Sequence, residues 1–407
     1  MITRRHLLGT AGAGAALGMS GFLPKFSQAE AAIANLTPGV PQGVASYATM
    51  GTLPGKKPLI QLSDRPPNYE APIEYLRTPI TPNDEFYVRY HLSDIPEVKA
   101  EGYKIAVSGD GANGTAEITL DDLKKMPAVE VVAVNQCSGN RRGLSQPHVQ
   151  GVEWGYGAMG CARWKGARLK DILDKVGLKK EAIEIAFNGA DGPAVAATPD
   201  FIKSIPVWKA IDENTIVAYE MNGAPLPHFN GFPARIIVPG WTGTYWMKHV
   251  IEINALTKPQ GGFWMNPAYR VPLGKFPLVA RFTSQEYAPN TPITEIVVNS
   301  LITSHRDGDK VKPGKVAVSG MAWDGGYGIR TVEVSTDGGK TWGSAMLGQD
   351  LGPYAFQPWS FDLSAKKGKN TVMVNAINKI GQTQTSTLIF NPAGYHNNVM
   401  QNITLTA

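Results

Sequence analysis

Val129-Glu130-Val131-Val132-Ala133-Val134-Asn135-Gln136-Cys137-Ser138-Gly139-Asn140-Arg141-Arg142-Gly143 is the stretch on which the first half of this chain turns. Its β-branched run, Val129–Val134, predicts a buried strand. The strand delivers Cys137 into a glycine-containing loop, and two arginines follow four and five positions later. Guanidinium charge near a thiol favours the thiolate, and a thiolate suits a soft or high-valent metal. On these residues alone, Cys137 can also be read as a buried structural thiol or as the disulfide partner of Cys161, the other cysteine of the chain. A thiol nucleophile is disfavoured, because none of the seven histidines carries a cysteine-partner signature.

Upstream, Glu85–His91 predicts another strand. Arg89 and His91 lie two apart on it and so share a face. With Arg142 they would make a cationic pocket, and guanidinium forks match oxyanions of sulfur or phosphorus. Alone, this strand end reads more simply as a solvated charged edge. Downstream, Gly231-Phe232-Pro233-Ala234-Arg235-Ile236-Ile237-Val238-Pro239-Gly240-Trp241 and Tyr245-Trp246-Met247-Lys248 gather backbone, cations and aromatics able to bracket a flat ring. Taken singly, these are ordinary core and turn features.

Tyr103–Ser108, Ile183–Asn188, Thr215–Met221 and Arg235–Pro239 are further predicted strands. A short helix starts at Leu120, and Leu169, Ile172, Leu173 and Val176 form one stripe of a second helix. Residues 35–80 are expected to be irregular, because Pro41, Pro54, Pro58, Pro66, Pro67 and Pro72 interrupt any period. Without regular βαβ alternation the class is α+β. From about Phe282 the pattern changes to short strands, among them Lys315–Met321, Thr331–Thr336, Trp359–Leu363 and Thr371–Ile377. Asp337-Gly338-Gly339 and Lys367-Gly368-Lys369 are hairpin-type turns. This predicts an all-β immunoglobulin-like sandwich without the paired cysteines of antibody domains. The expected organisation is residues 1–32 as an export signal, 33–282 as the catalytic domain and 283–407 as the sandwich.

A chain of 407 residues exceeds one ordinary core, which agrees with that division. The net charge of +5 comes without a Lys/Arg run, so nucleic-acid binding is not expected. Cys-x-x-Cys, His-Glu-x-x-His, EF-hand and Gly-x-Ser-x-Gly patterns are all missing, as is the Cys-x-x-Cys-His of covalent haem. No glycine-rich dinucleotide fingerprint follows a strand. Thr3-Arg4-Arg5-His6-Leu7-Leu8 is a twin-arginine pattern, followed by a glycine-rich apolar stretch to Leu23 and a small-residue cleavage site at Ala29-Glu30-Ala31. It predicts export to the periplasm by the twin-arginine route. No later segment reaches ~18 apolar residues, so stable membrane insertion is not expected.

Together, FYVRYH (86–91), NQCSGNRRG (135–143), ARWKGARLKDIL (162–173), NGADGP (188–193), GFPARIIVPGWTGTYWMK (231–248) and VSTDGGKTW (334–342) resemble the sulfite oxidase family of molybdenum enzymes. The stretches run in the family's order over most of residues 85–345. The export signal and the lack of a haem segment bring the chain nearest the molybdenum subunits of bacterial periplasmic heterodimeric sulfite dehydrogenases. The resemblance implies a sulfite-oxidase-type molybdopterin domain followed by the sandwich. It implies molybdenum bound by Cys137 and one molybdopterin, and no haem in this chain. Arg89, Arg142, Trp164 and Tyr269 would serve the sulfite pocket. Tyr87, Val88, Arg89, His91, Asp191, Asn230, Arg235, Trp246, Met247 and Lys248 would hold the pterin and its phosphate. Sulfite would become sulfate, with electrons passed to a c-type cytochrome subunit or a soluble cytochrome c, and the second domain would support self-association.

Three departures qualify the match. Asn230 stands where the family often has His, and Tyr245 where it often has Arg. Tyr327 stands where some members supply a third pocket arginine near the start of the second domain. The competing readings are a sulfane dehydrogenase subunit or another oxidoreductase of the same fold and, in a different class, a secreted immunoglobulin-like binding protein.

Overall fold

A computed structural model describes residues 48–193, 195–272 and 290–407. The twin-arginine segment, its cleavage site and the expected domain boundary near residue 282 lie outside the described residues. Four short antiparallel strands come first: β1 (Thr49–Gly51), β2 (Leu59–Ser63), β3 (Asn68–Glu70) and β4 (Val88–Arg89). Three of them fall between the prolines of a stretch expected to be irregular; each is short enough to fit between them. The strand expected over Glu85–His91 shrinks to the two residues of β4.

Next come β5 (Lys104–Ser108), β6 (Ala116–Thr119), α1 (Leu120–Lys125), β7 (Ala128–Gln136), β8 (Met159–Arg168) and α2 (Leu169–Leu173). β9 (Glu184–Gly189), β10 (Lys203–Pro206), β11 (Ile216–Met221), β12 (Ala224–Pro225), β13 (Arg235–Ile237) and β14 (Val250–Leu256) complete the larger sheets of the first half. One sheet runs β10-β9-β14-β5-β6, with β14 and β5 parallel. The other runs β12-β11-β8-β7, with β13 on β11. The helices are single short turns held by sequence. Thr119 and Asp122 form a reciprocal capping box at α1, and α2 buries Leu169, Ile172 and Leu173.

The second half is a sandwich of two four-stranded antiparallel sheets. Val318, Val332, Val334, Leu363, Val372 and Val374 fill its core, as inward alternation along strands requires. Asp337 closes the predicted hairpin turn by accepting N–H bonds from Lys340 and Thr341. Gly338 and Gly339 adopt positive φ there.

The two halves share a core. Leu301, Met321, Trp323, Phe356 and Tyr395 join Val134, Cys137 and Trp154 in one buried cluster. Trp323 Nε1 donates to Gln136 Oε1 at 2.7 Å, and Val134 N to Tyr354 O at 2.8 Å. The sandwich therefore braces the end of β7, where the cysteine loop begins. Among the described residues, no helix is long and apolar enough to cross a membrane.

Glu70, at the end of β3, clamps the far side of that loop. Its carboxylate accepts N–H bonds from Gly155 and Gly157, both at 2.7 Å. Burial pushes its pKa up to about 7, against the pull of those donors. The folded chain thus holds this proton more tightly than the unfolded chain. The associated stability is present below the ordinary carboxyl range and is lost as pH rises through about 7. The melting temperature is expected to fall across that window, with the slope flattened in Glu70→Gln. Gln also leaves one amide without an acceptor, a cost of about 1–3 kcal/mol. Calorimetry of both proteins against pH checks this; parallel slopes would contradict it.

Candidate active site

Alternation around β4 sorts the side chains of 87–91. Tyr87, Arg89 and His91 line a cleft of about 620 Å³, counting its open mouth. Val88 and Tyr90 point the other way, into a small core with Leu59 and Tyr69. The expectation that Val88 contributes to the pocket is therefore not met by its side chain, since period two places it on the opposite face.

Cys137 reaches the same cleft from the end of β7. It is buried and free, as is Cys161, so no disulfide joins them. The loop after it is folded tightly: Cys137 N donates to Ala158 O at 2.9 Å, and Ala158 N to Asn140 Oδ1 at 3.1 Å. Arg141 adopts a left-handed conformation. Its guanidinium turns into the second half, donating to Val399 O at 2.9 Å and Ser300 O at 2.7 Å.

Arg142 corrects the sequence reading. Its Nε donates to Ala393 O at 2.8 Å and an NH to Val152 O at 3.1 Å. Its guanidinium lies over the Tyr395 ring and against Gly139, where a Cβ would sit 2.4 Å from it. With these carbonyl partners it braces the loop from behind Tyr395, and only its charge bears on Tyr269 in the cleft. Trp164 is likewise set back. It is fully buried, donates to Ala133 O at 3.1 Å, and lies beneath Arg235. Tyr327 is not a pocket residue; it is 39% exposed and donates to Glu295 at 3.0 Å. The second-half residue beside the pocket is Tyr395, stacked on Tyr269 at 5.7 Å and 12°.

The remaining expected residues converge. Asp191, Asn230, Arg235, Trp246, Met247, Lys248 and Tyr269 all line the cleft. Arg235 spans Asn230 O at 2.8 Å and Trp246 O at 3.0 Å, while Lys248 donates to Arg89 O at 2.6 Å. Asn230 Oδ1 accepts from Nζ of the buried Lys56 at 2.5 Å, which aims its amide. Tyr269 and His91 are hydrogen-bonded. Burial, then Arg89, Lys248 and Lys203, pushes the His91 pKa far down, which keeps the imidazole neutral. Burial pushes Tyr269 up, so its hydroxyl keeps its proton. Desolvation also lowers Lys248 and brings Arg235 to about 10, yet Arg235 remains charged near neutrality.

Sequence reasoning missed Asn135, Ser138, Phe201 and Thr244, which also line the cleft. Three of them stand in the quoted motifs, where a polar residue beside Cys137 or Gly243 was the available signal. Phe201 had none.

Residues 91–264 match the family model described as the oxidoreductase molybdopterin binding domain, and residues 290–407 the Mo-co oxidoreductase dimerisation domain. The sulfite oxidase of Arabidopsis thaliana is 33% identical over 330 residues, covering 77% of this chain and 81% of that one. The Gallus gallus sulfite oxidase is 34% identical, covering 77% and 69%. The chain belongs to the sulfite oxidase family. It spans 60% of the length of the mitochondrial sulfite oxidase of Homo sapiens, at 34% identity over 79% of this chain. The crystal structure of the sulfane dehydrogenase SoxCD from Paracoccus pantotrophus superposes with a TM-score of 0.73 at 25% identity, covering 84% of this chain and 85% of that one.

A molybdopterin of this family fits what the cleft offers. Asn135 Nδ2, Ser138 Oγ, Arg235 Nε and Thr244 Oγ1 are buried polar atoms without a protein partner, and all four residues line it. Such clustering calls for a polar ligand. Arg89, Arg235 and Lys248 outnumber Asp191 on its walls, which favours an anionic phosphate. Among the described residues, no group of three His, Cys, Asp or Glu could hold a bare metal ion. A metal on Cys137 therefore needs donors brought by the cofactor, and two dithiolene sulfurs are of the same soft type as the thiolate.

Proposed function

We propose that this chain oxidises sulfite to sulfate at a molybdenum held by Cys137 and one molybdopterin, and passes the electrons to a separate c-type cytochrome. The observation that carries the reading is the cationic cleft on Cys137, ringed by unpartnered polar atoms. When bound, the molybdenum centre supplies two-electron oxygen-atom transfer. The chain's own part is to bind and orient the anion. Arg89 offers a guanidinium to the sulfite oxygens, which holds its sulfur lone pair in one direction. Tyr269 keeps a neutral O–H beside it, hydrogen-bonded to Nε2 of a neutral His91.

The chain has no Cys-x-x-Cys-His pattern, which supports a separate electron acceptor. The N-terminal twin-arginine pattern supports export to the periplasm, and the matched dimerisation domain supports self-association. A second reading is a sulfane dehydrogenase subunit, favoured by the likeness to SoxCD over most of both chains. Stopped-flow reduction of cytochrome c separates the two. The expected result is rapid reduction with sulfite and little with a sulfane persulfide carried on a peptide. Reduction by the persulfide alone would move the assignment to the second reading.

A further inference from the structure

Beside the cleft, one short segment touches both members of the His91–Tyr269 pair. Phe201 stacks flat on His91, with centroids 3.7 Å apart and planes at 11°. Two residues on, Lys203 brings its ammonium 4.8 Å from the centre of the Tyr269 ring and 4.8 Å from that of Tyr245. The segment is rigidly placed. β10 pairs with β9 in register Lys203↔Phe187. Trp264 locks it from outside: its carbonyl accepts from Lys203 Nζ at 2.6 Å, and its indole N–H donates to Pro199 O at 3.0 Å. Phe201 and Lys203 are both buried.

We infer that Phe201 and Lys203 are positioning residues for the His91–Tyr269 hydrogen bond, holding both partners from one segment. The inference rests on the sulfite-oxidation reading for its catalytic meaning. A buried lysine whose ammonium meets only a carbonyl is a costly filler, and an apolar chain of similar length would pack there more cheaply. Among the described residues no ion pair to Lys203 is found. What the ammonium adds is a fixed cation on the Tyr269 face, a favourable cation–π geometry. It also adds to Arg89 and Lys248 in keeping His91 neutral, so that the ring has a nitrogen able to accept. Burial, then Arg270, lowers the Lys203 pKa to about 7 against the pull of Glu184, so the cation–π contact belongs to its protonated form. Stacking by Phe201 fixes the imidazole plane along the same bond.

The test compares full-length cofactor-loaded wild type with Lys203→Met and Lys203→Arg. Histidine-selective ¹⁵N NMR is read alongside kinetics, with His91→Gln identifying the His91 signals. In Lys203→Met the His91 ring signals are expected to move and the melting temperature to hold or rise. Its kcat should fall at least about tenfold while KM for sulfite stays within about threefold. Lys203→Arg should restore the signals and most of kcat. Unmoved His91 signals in Lys203→Met would overturn the inference, as would a fall in kcat matched by a fall in melting temperature that Arg does not rescue. If the wild type turns over no sulfite, the functional reading fails separately, and the His91 signals still decide the positioning role.

Discussion

Cys137→Ser is expected to fold as the wild type does and to lose more than about a hundredfold in sulfite turnover. Changes to groups that merely orient a metal ligand already cost about 10–100-fold, and this change replaces the ligand itself. A serine oxygen is a hard, weakly acidic donor, whereas the thiolate is soft and ionises readily. The fold should tolerate it because the loop is not held by the sulfur. It is held by Cys137 N to Ala158 O, by Asn140, and by Arg141 reaching Val399 O and Ser300 O. Steady-state kinetics with calorimetry on the same sample checks both halves. Wild-type turnover in a folded Cys137→Ser protein would remove the cysteine from the chemistry.

Arg89→Gln is expected to raise KM for sulfite about tenfold to hundredfold, with molybdenum content unchanged. A hydrogen bond to a charged group contributes about 1.5–3 kcal/mol, and glutamine offers neither the charge nor the fork. Arg89 is the guanidinium of the cleft wall that reaches Tyr269: it meets Asn68 Oδ1 at 3.1 Å, the carbonyl of Tyr90 and the Tyr269 side chain, whereas Arg235 spans two buried carbonyls and stacks on Trp164 and Trp246. Metal analysis beside the kinetics separates the outcomes. Loss of metal without a change in KM would make Arg89 a cofactor residue.

Much of the architecture was legible because local pattern and tertiary role coincide. The β-branched run became β7, with its last four residues buried where the cysteine emerges. The Asp337-Gly338-Gly339 turn needed only its own residues, since Ser335, Asp337 and Thr341 satisfy one another. The shared face of Arg89 and His91 followed from period two, while Tyr87 came with the family resemblance. The failures are long-range. Arg142 looks identical in sequence whether it faces an anion or a carbonyl, and its decisive partner, Ala393, lies 251 positions away. Tyr395 and Phe201 have no local signature, because aromatic rings serve a core and a pocket wall alike. Strands β1–β3 were hidden by prolines that punctuate them without preventing them.

The arrangement also explains why the sandwich belongs to the site. Arg141, Arg142 and the Tyr269–Tyr395 stack all draw partners from residues beyond 290. The second half thus shapes the loop that presents Cys137, whatever else it binds.

The central claim is that this cleft holds one molybdenum per chain on Cys137. Its most direct test is plasma mass spectrometry of metal content in protein exported from a host that makes molybdopterin. The account predicts near-stoichiometric molybdenum in the wild type. Well-folded protein without molybdenum would contradict it.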